Sequence, residues 1–334
     1  MRSTFAALAL LLVSASYAAT DPPGKIDLLG GAEIFRIDTS HSYLGFTVKF
    51  LGMADVRGIF RDFGATIIYD DDHPERTSVT VSIDPASIDT GSDFRDKDLK
   101  SEKFFDVQKY PQIIFQSTKI ERHRNEHYLV HGKLTIKGIT REITIPMTRT
   151  LRRVADQAWG NIRIGGNGAI VLTRHDFNLL GNDFWGDKTI ANNVNVTIEI
   201  LGSRPNYERW SLDSKDKPSI GEVALQAVDA SGGPAAAQKI RDLKRDKPND
   251  YNFAAGQLGI AINRLMQKRR LAEALELLNV GRELYPEEPG FWARTGEVYA
   301  TLGDREQAIR MYEKAQALLP AGSESMEMLR RLRQ

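Results

Sequence analysis

The chain has 334 residues, enough for two domains with cores that need no metal or disulfide clips. Its 45 basic and 44 acidic residues leave a formal charge of +1 with no long run of one sign, which argues against a nucleic-acid binder. There is no cysteine, which excludes disulfides, thiolate chemistry and a lipid-accepting cysteine.

The first residues place one basic residue, Arg2, before the apolar run Phe5 to Val13 and the small residues Ser16, Ala18 and Ala19. That three-part order predicts a secretory signal peptide over residues 1–19, because the run is well short of the roughly 20 residues that span a bilayer. A periplasmic or secreted protein is the expectation. No later stretch is long and apolar enough to cross a membrane, so the chain is not expected to span one.

From Glu33 to about Leu201 the pattern is alternation. Phe46, Val48 and Phe50 share one face, as do Val79, Val81 and Ile83. Segments over Pro111 to Ile120, His127 to Gly138, Arg141 to Met147 and Asn192 to Leu201 repeat the period of two, separated by turn signals such as "DDDHPE" and "RHRNE". About eight strands with short connections predict an antiparallel meander, either a sandwich or a barrel; the periodicity leaves that choice open.

Leu201 to Ser219 is polar, carries two prolines and has no sustained period, which predicts a linker over residues 203–218. After it come Ala, Leu, Glu, Arg and Lys at helical spacing. "SIGE", Ser219 to Glu222, is expected to open the first helix as a capping box. Two segments align at an offset of 34 residues, with Leu265 meeting Tyr299, Ala274 meeting Ala308, Leu278 meeting Tyr312 and Gly281 meeting Ala315. The second copy, through Trp292, Gly296, Tyr299, Ala308, Tyr312, Ala315 and Pro320, resembles a tetratricopeptide repeat; the first has Ile262 where that family usually has Gly. A degenerate unit with Ala236, Ile240, Leu243 and Pro248, and a terminal capping helix over "SESMEMLRRLRQ", complete an all-α domain over residues 219–334. The resemblance implies a scaffold that docks a protein partner, without naming it.

Five segments of the strand half, "DTSHS", "SIDTGSDFRDKDLKSEKFFD", "YPQIIFQSTKI", "HGKLTIKGITREITIPM" and "LTRHDFNLL", resemble in order and spacing the YceI-like family of exported lipid-binding proteins. The likeness covers about residues 33–202. It implies a lipocalin-like barrel holding a polyisoprenoid or isoprenoid-quinone lipid, with no other cofactor. The lumen candidates are then the in-phase residues Phe46, Val48, Phe50, Ile113, Phe115, Val130, Leu134, Ile136, Ile143, Ile145, Phe177 and Leu179. Asn178 stands where the family usually has Gly, and Asn tolerates a left-handed backbone.

The charged stretch Ser87 to Asp106 predicts a turn at Gly91 into a short helix capped by Ser92 or Asp93, with Phe94, Phe104 and Phe105 as apolar anchors of a lid. Its charges are expected to face water or pair with one another. Arg95 and His41 are the candidates for touching a lipid head group.

Catalytic and metal chemistry find little support. No "GxSxG", "HExxH" or P-loop occurs. Asp38, His41 and Ser42 are expected on one strand, where alternating faces keep them from acting as a triad. His123, His127 and His131 straddle a turn between strands, where a four-residue interval does not converge ligands. Asp93, Asp96 and Asp98 lack the spacing of a calcium loop. The expected role is binding without catalysis or a metal. The alternatives are an envelope scaffold whose barrel is packed solid, and a hydrolase of an envelope lipid acting through His41.

Overall fold

The computed structural model describes residues 28–156, 161–181, 189–205, 212, 217–318 and 324–333. The proposed signal segment, most of the linker and Pro320 lie outside them.

The strand half is β1 (Glu33–Ile37), β2 (Tyr43–Phe50), β3 (Ala54–Phe60), β4 (Phe63–Tyr69), β5 (Ser78–Ile83), β6 (Ile88–Asp89), β7 (Ile113–Arg124), β8 (His127–Ile136), β9 (Ile139–Ala155), β10 (Ile162–Thr173) and β11 (Ile190–Arg204). Every pairing is antiparallel. β2 pairs β3 while β1 pairs β4, and β3 pairs β6 while β4 pairs β5. Each couple β1–β2, β3–β4 and β5–β6 is therefore one strand line broken near its middle, and eleven strands make eight lines. β11 closes the sheet by pairing both halves of the first line, Arg36↔Ser203 on β1 and Val196↔Phe46 on β2. Closure removes the exposed edges, and the result is an eight-line antiparallel barrel. β11, the last strand, runs to Arg204.

Lines three and four are joined by a crossing segment that carries α1 (Asp93–Lys100). Ser92 holds the N-cap position of α1, yet its hydroxyl makes no cap bond. The Asp96 carboxylate instead reaches back and accepts from Thr90 N at 3.0 Å. Among the described residues the charges of this stretch do not pair with one another; they are engaged by a cap and by groups elsewhere in the domain. Arg95 donates from Nε to Thr90 Oγ1 and from Nη2 to the Thr90 carbonyl, both at 2.8 Å, and Asp89 pairs with Arg61 from outside the stretch.

The helical half comprises α2 (Ile220–Asp246), α3 (Ala255–Gln267), α4 (Leu271–Leu284), α5 (Pro289–Thr301), α6 (Arg305–Leu318) and α7 (Glu324–Arg333). Ser219 Oγ caps α2 by accepting from Gly221 N and Glu222 N. α2 breaks at Gly232, at φ 80° and ψ 172°, two residues before Pro234, so it is two helical arms. Residues related by the offset of 34 take equivalent buried places: Ala274 with Ala308 and Leu278 with Tyr312 are each fully buried. Close packing demands the small residues, since a Cβ on Gly281 would meet the Phe291 ring at 2.4 Å and one on Gly296 the Tyr312 ring at 2.9 Å.

The two halves share a core. Ile34 and Ile68, on the outer face of β1 and β4, pack with Met328, Leu329 and Leu332 of α7 and with Tyr312. Arg36 pairs with Glu324, Thr80 Oγ1 donates to Glu327, and Arg331 donates to the carbonyls of Arg76 and Leu29. α7 thus ends the helical stack and also covers the barrel wall, which explains why Ala65 to Ile68 on β4 is buried on both faces.

Candidate lipid-binding lumen

The barrel interior is not packed shut. A cavity of about 590 Å³ runs through it, within the roughly 300–1,000 Å³ of small-molecule sites. The alternative of a barrel packed solid does not match this interior.

All twelve lumen candidates line this cavity: Phe46, Val48, Phe50, Ile113, Phe115, Val130, Leu134, Ile136, Ile143, Ile145, Phe177 and Leu179. Each strand supplies every second residue, the geometric consequence of the pleat. The wall also includes residues left off that list: Phe60 and Phe63, then Val194, Val196, Ile198 and Ile200 of β11, Met147 and Arg149 of β9, Tyr69 and Tyr128. The β11 residues and Met147 are in phase with the apolar faces of their own strands. Arg149 has the same signal, because Ile143, Ile145, Met147 and Arg149 step by two along one face of β9.

The open middle depends on large side chains lying flat against glycines of the neighbouring strand. Gly58 stands opposite Phe46 in register, and a Cβ there would meet the Phe46 ring at 2.4 Å. Gly168 stands opposite Met147, whose Sδ would be 2.2 Å from such a Cβ. The missing Cβ lets each large group fold against the wall instead of across the lumen.

At one end lie β6, α1 and the loop after β10. Phe104 is buried and Phe105 packs into the lumen cluster. Phe94, expected to be an anchor, is 81% exposed and stands at the rim. Lys137 Nζ fastens the segment by donating to the carbonyls of Glu102 at 2.8 Å and Asn178 at 3.1 Å. Asn178 adopts the left-handed conformation, at φ 55°. Arg174, 5% exposed, ties the loop to β11 through the carbonyls of Leu179, Leu180, Ile190 and Ala191. Arg95 lines this end, with its guanidinium engaged by Thr90.

The other end carries a second apolar cluster. Phe35, Ile67 and Ile164 pack there with Tyr69, Ile162 and Ile200. A polar group crosses the same end from β4 to β9: Arg149 donates from Nη1 to Tyr69 Oη at 2.9 Å and Asp71 Oδ1 at 2.7 Å, and from Nε to Glu126. Burial and the hydrogen bond to Asp71 push the Tyr69 hydroxyl up to about 12. Burial alone would raise the Asp71 carboxyl, but hydrogen bonds from Tyr69 and Arg152 and nearby guanidinium charge hold it below the ordinary carboxylate value.

His41 is placed elsewhere. It ends a short 3-10 turn, Thr39–His41, with its side chain 69% exposed and Nδ1 3.1 Å from Asp38 Oδ2. It is not among the residues that line the cavity. The turn also brings His41 to Asp38, which a continuous strand would forbid. Ser42 Oγ accepts from Leu201 N at 2.9 Å and does not join them. Among the described residues no cluster of three or more His, Asp or Glu is placed to hold a metal ion, and no helix is long and apolar enough to cross a membrane.

The sequence matches the YceI-like domain over residues 35–201. It is also 31% identical over 191 residues to a UPF0312 protein of Photorhabdus laumondii, covering 57% of this chain and 91% of that one. The chain belongs to the YceI-like family. Among solved structures, BcnA of Burkholderia cenocepacia is similar over 49% of this chain and 98% of its own, with 25% identity and a TM-score of 0.45. A polyisoprenoid binding domain from Saccharophagus degradans, implicated in plant cell wall breakdown, is similar over 51% of this chain and 98% of its own, with 16% identity and a TM-score of 0.40. The YceI-like match stops at residue 201, and the helical half follows it.

Proposed function

We propose that this YceI-like chain is an exported binding protein that sequesters and transfers a polyisoprenoid or isoprenoid-quinone lipid without chemically altering it. The observation that carries the reading is the continuous apolar cavity of about 590 Å³, lined along its length by aliphatic and aromatic side chains. An apolar chain gains about 4 kcal/mol for each five-carbon unit removed from water, at about 0.8 kcal/mol per carbon. A few units exceed the estimated cost of about 4–15 kcal/mol for immobilising a ligand. Such a ligand needs a dry tube and few polar contacts, which is what the wall offers.

Export to the periplasm or beyond is part of this reading and is supported by the three-part order of residues 1–19. The helical half is a tetratricopeptide-like stack that docks a protein partner, supported by the equivalent burial of residues 34 apart. Mass spectrometry of an organic extract of the purified chain tests the central claim. A co-purifying prenyl lipid is expected, and an extract free of lipid from a chain that also fails to take up added prenyl lipid overturns it.

A further inference from the structure

We infer that the rim at the α1 end of the barrel is a docking surface for a lipid bilayer, with Leu51, Met53 and Phe94 entering the interface and setting the mouth of the lumen against the apolar layer. The inference rests on the lipid-binding reading and adds where the cargo is exchanged.

Neighbouring contacts bring these residues to one end. Phe50 stands opposite Ile190 in register and Leu51 N donates to the Thr189 carbonyl at 2.7 Å, so the turn between β2 and β3 lies beside the start of β11. Arg174 joins the start of β11 to the loop after β10, and Gly181 N of that loop donates to the Lys103 carbonyl at 3.1 Å. The crossing segment with α1 is thereby brought to the same place. Here Leu51 is 51% and Met53 78% exposed, beside the exposed Phe94. Phe94 also belongs to the cavity wall, so the apolar lining of the lumen continues out onto the rim.

Leu51 holds φ 52° beside Gly52 at φ 72°, in a turn closed by Met53 N donating to the Phe50 carbonyl at 3.1 Å. Such a backbone suits Gly, Asn or Asp and strains a leucine. A side chain half in water returns little of that cost to the folded chain, whereas an apolar layer returns it. Beneath the turn Lys49 pairs with Asp55 at 2.8 Å, and the crossing segment sets Asp93, Asp98 and Glu102 among Lys97, Lys100 and Lys103. Separate apolar tips among charges of both signs fit a bilayer interface, where the tips enter the acyl boundary and zwitterionic head groups meet the charges. Docking also spares a long apolar chain the passage through water between membrane and lumen. The helical half leaves the rim free: Arg331 of α7 reaches Leu29, which precedes β1, whereas the rim turn follows β2 at the opposite end of the same strand line.

The test is flotation of the full chain with vesicles of phosphatidylcholine alone and with vesicles that add phosphatidylglycerol, beside uptake of a short prenyl alcohol supplied from solution. The chain is expected to float with both, its affinity changing less than about twofold between low and high salt because charges of both signs face the head groups. Leu51→Asn with Met53→Ser is expected to weaken vesicle binding about tenfold or more, through the loss of two apolar side chains from the interface. Transfer of a prenyl lipid out of vesicles slows with it. Uptake from solution is expected to be unchanged, since neither residue lines the lumen, and Asn tolerates the left-handed turn, so the variant stays folded. Equal flotation of the two chains overturns the docking surface. So does binding confined to phosphatidylglycerol vesicles and abolished by salt, or a dimer of the unaltered chain, seen by sedimentation and dissolved in the variant, in place of flotation. Failure to take up the prenyl alcohol from solution, with flotation intact, overturns the lumen reading and not the rim.

Discussion

Phe60 of β3 and Phe105 of the segment after α1 meet edge to face, with ring centroids 5.9 Å apart and planes at 83°. Phe46 continues the row, 5.8 Å from Phe60. The crossing segment is thus held to the lumen wall by aromatic burial, and the charges that dominate its sequence contribute little to the attachment. Phe105→Ala is expected to destabilise the chain by roughly 2–3 kcal/mol, below the full cost of deleting a buried ring because Phe105 is only partly covered. Denaturant unfolding should show a lower midpoint at unchanged slope, with faster release of bound lipid. An unchanged midpoint would mean that the bonds from Lys137 Nζ, and from Gly181 N to the Lys103 carbonyl at 3.1 Å, suffice to hold the segment.

The lumen's width is expected to depend on Gly58. A Val there places atoms where the Phe46 ring now lies, 2.4 Å from its edge. The far end of a phenylalanine side chain moves more easily than backbone, so the ring swings into the cavity. Overpacking of this kind costs roughly 1–3 kcal/mol of stability, and the lost space should weaken prenyl-lipid binding by about tenfold or more. Lipid uptake by Gly58→Val, measured beside its thermal midpoint, checks this; full uptake by a stable variant would show that the ring is not what keeps the lumen open.

Period-two alternation made the lumen legible because a pleated strand in a closed barrel leaves an inward residue no other surface to face. Val130, Leu134, Ile143 and Ile145 are in phase on their strands, and once the resemblance implies a barrel that phase points them inward. Arg149 is not legible in that way, because the apolar pattern along β9 stops at Met147 while the phase continues. The position of His41 is hidden in the sequence for a different reason. A three-residue turn breaks the first strand line at Thr39–His41, and a break so short leaves no compositional mark. The contact between the halves is hidden as well: the last helix is expected only to cap the stack, and the burial of Glu324 and Glu327 follows from the barrel wall standing beside them.

Removing the helical half is expected to damage the barrel directly. Deletion from Gly221 onward strips α7 from Ile34 and Ile68, which are buried against Met328, Leu329 and Leu332. The bared wall then presents an apolar patch of the kind that drives association. Size-exclusion chromatography should show the shortened chain self-associating, and Ile34→Thr with Ile68→Thr in the same chain should restore a monomer that still takes up lipid. If the unmodified deletion is already monomeric, α7 is not needed to shield the wall, and any lost activity can be assigned to a missing partner.

Acid is expected to loosen the junction between the halves through Glu324. Burial alone would raise this carboxyl, yet the charges of Arg36 and Arg294 hold it below its ordinary value of 4.5. A carboxyl depressed in the folded state contributes stability that is fully present above the unfolded value and lost as pH falls through the folded one. The window therefore lies below about pH 4.5. Glu324→Gln should be less stable near neutrality, toward the lower end of the roughly 3–5 kcal/mol for breaking a buried pair, because Arg36 retains some exposure to water. Glu33 and Asp71 are also depressed, so both chains lose stability in acid, but the unaltered chain must lose more. Unfolding midpoints measured from pH 7 to pH 3 should converge as pH falls. Parallel curves would show that Glu324 carries no charge-dependent part of the junction.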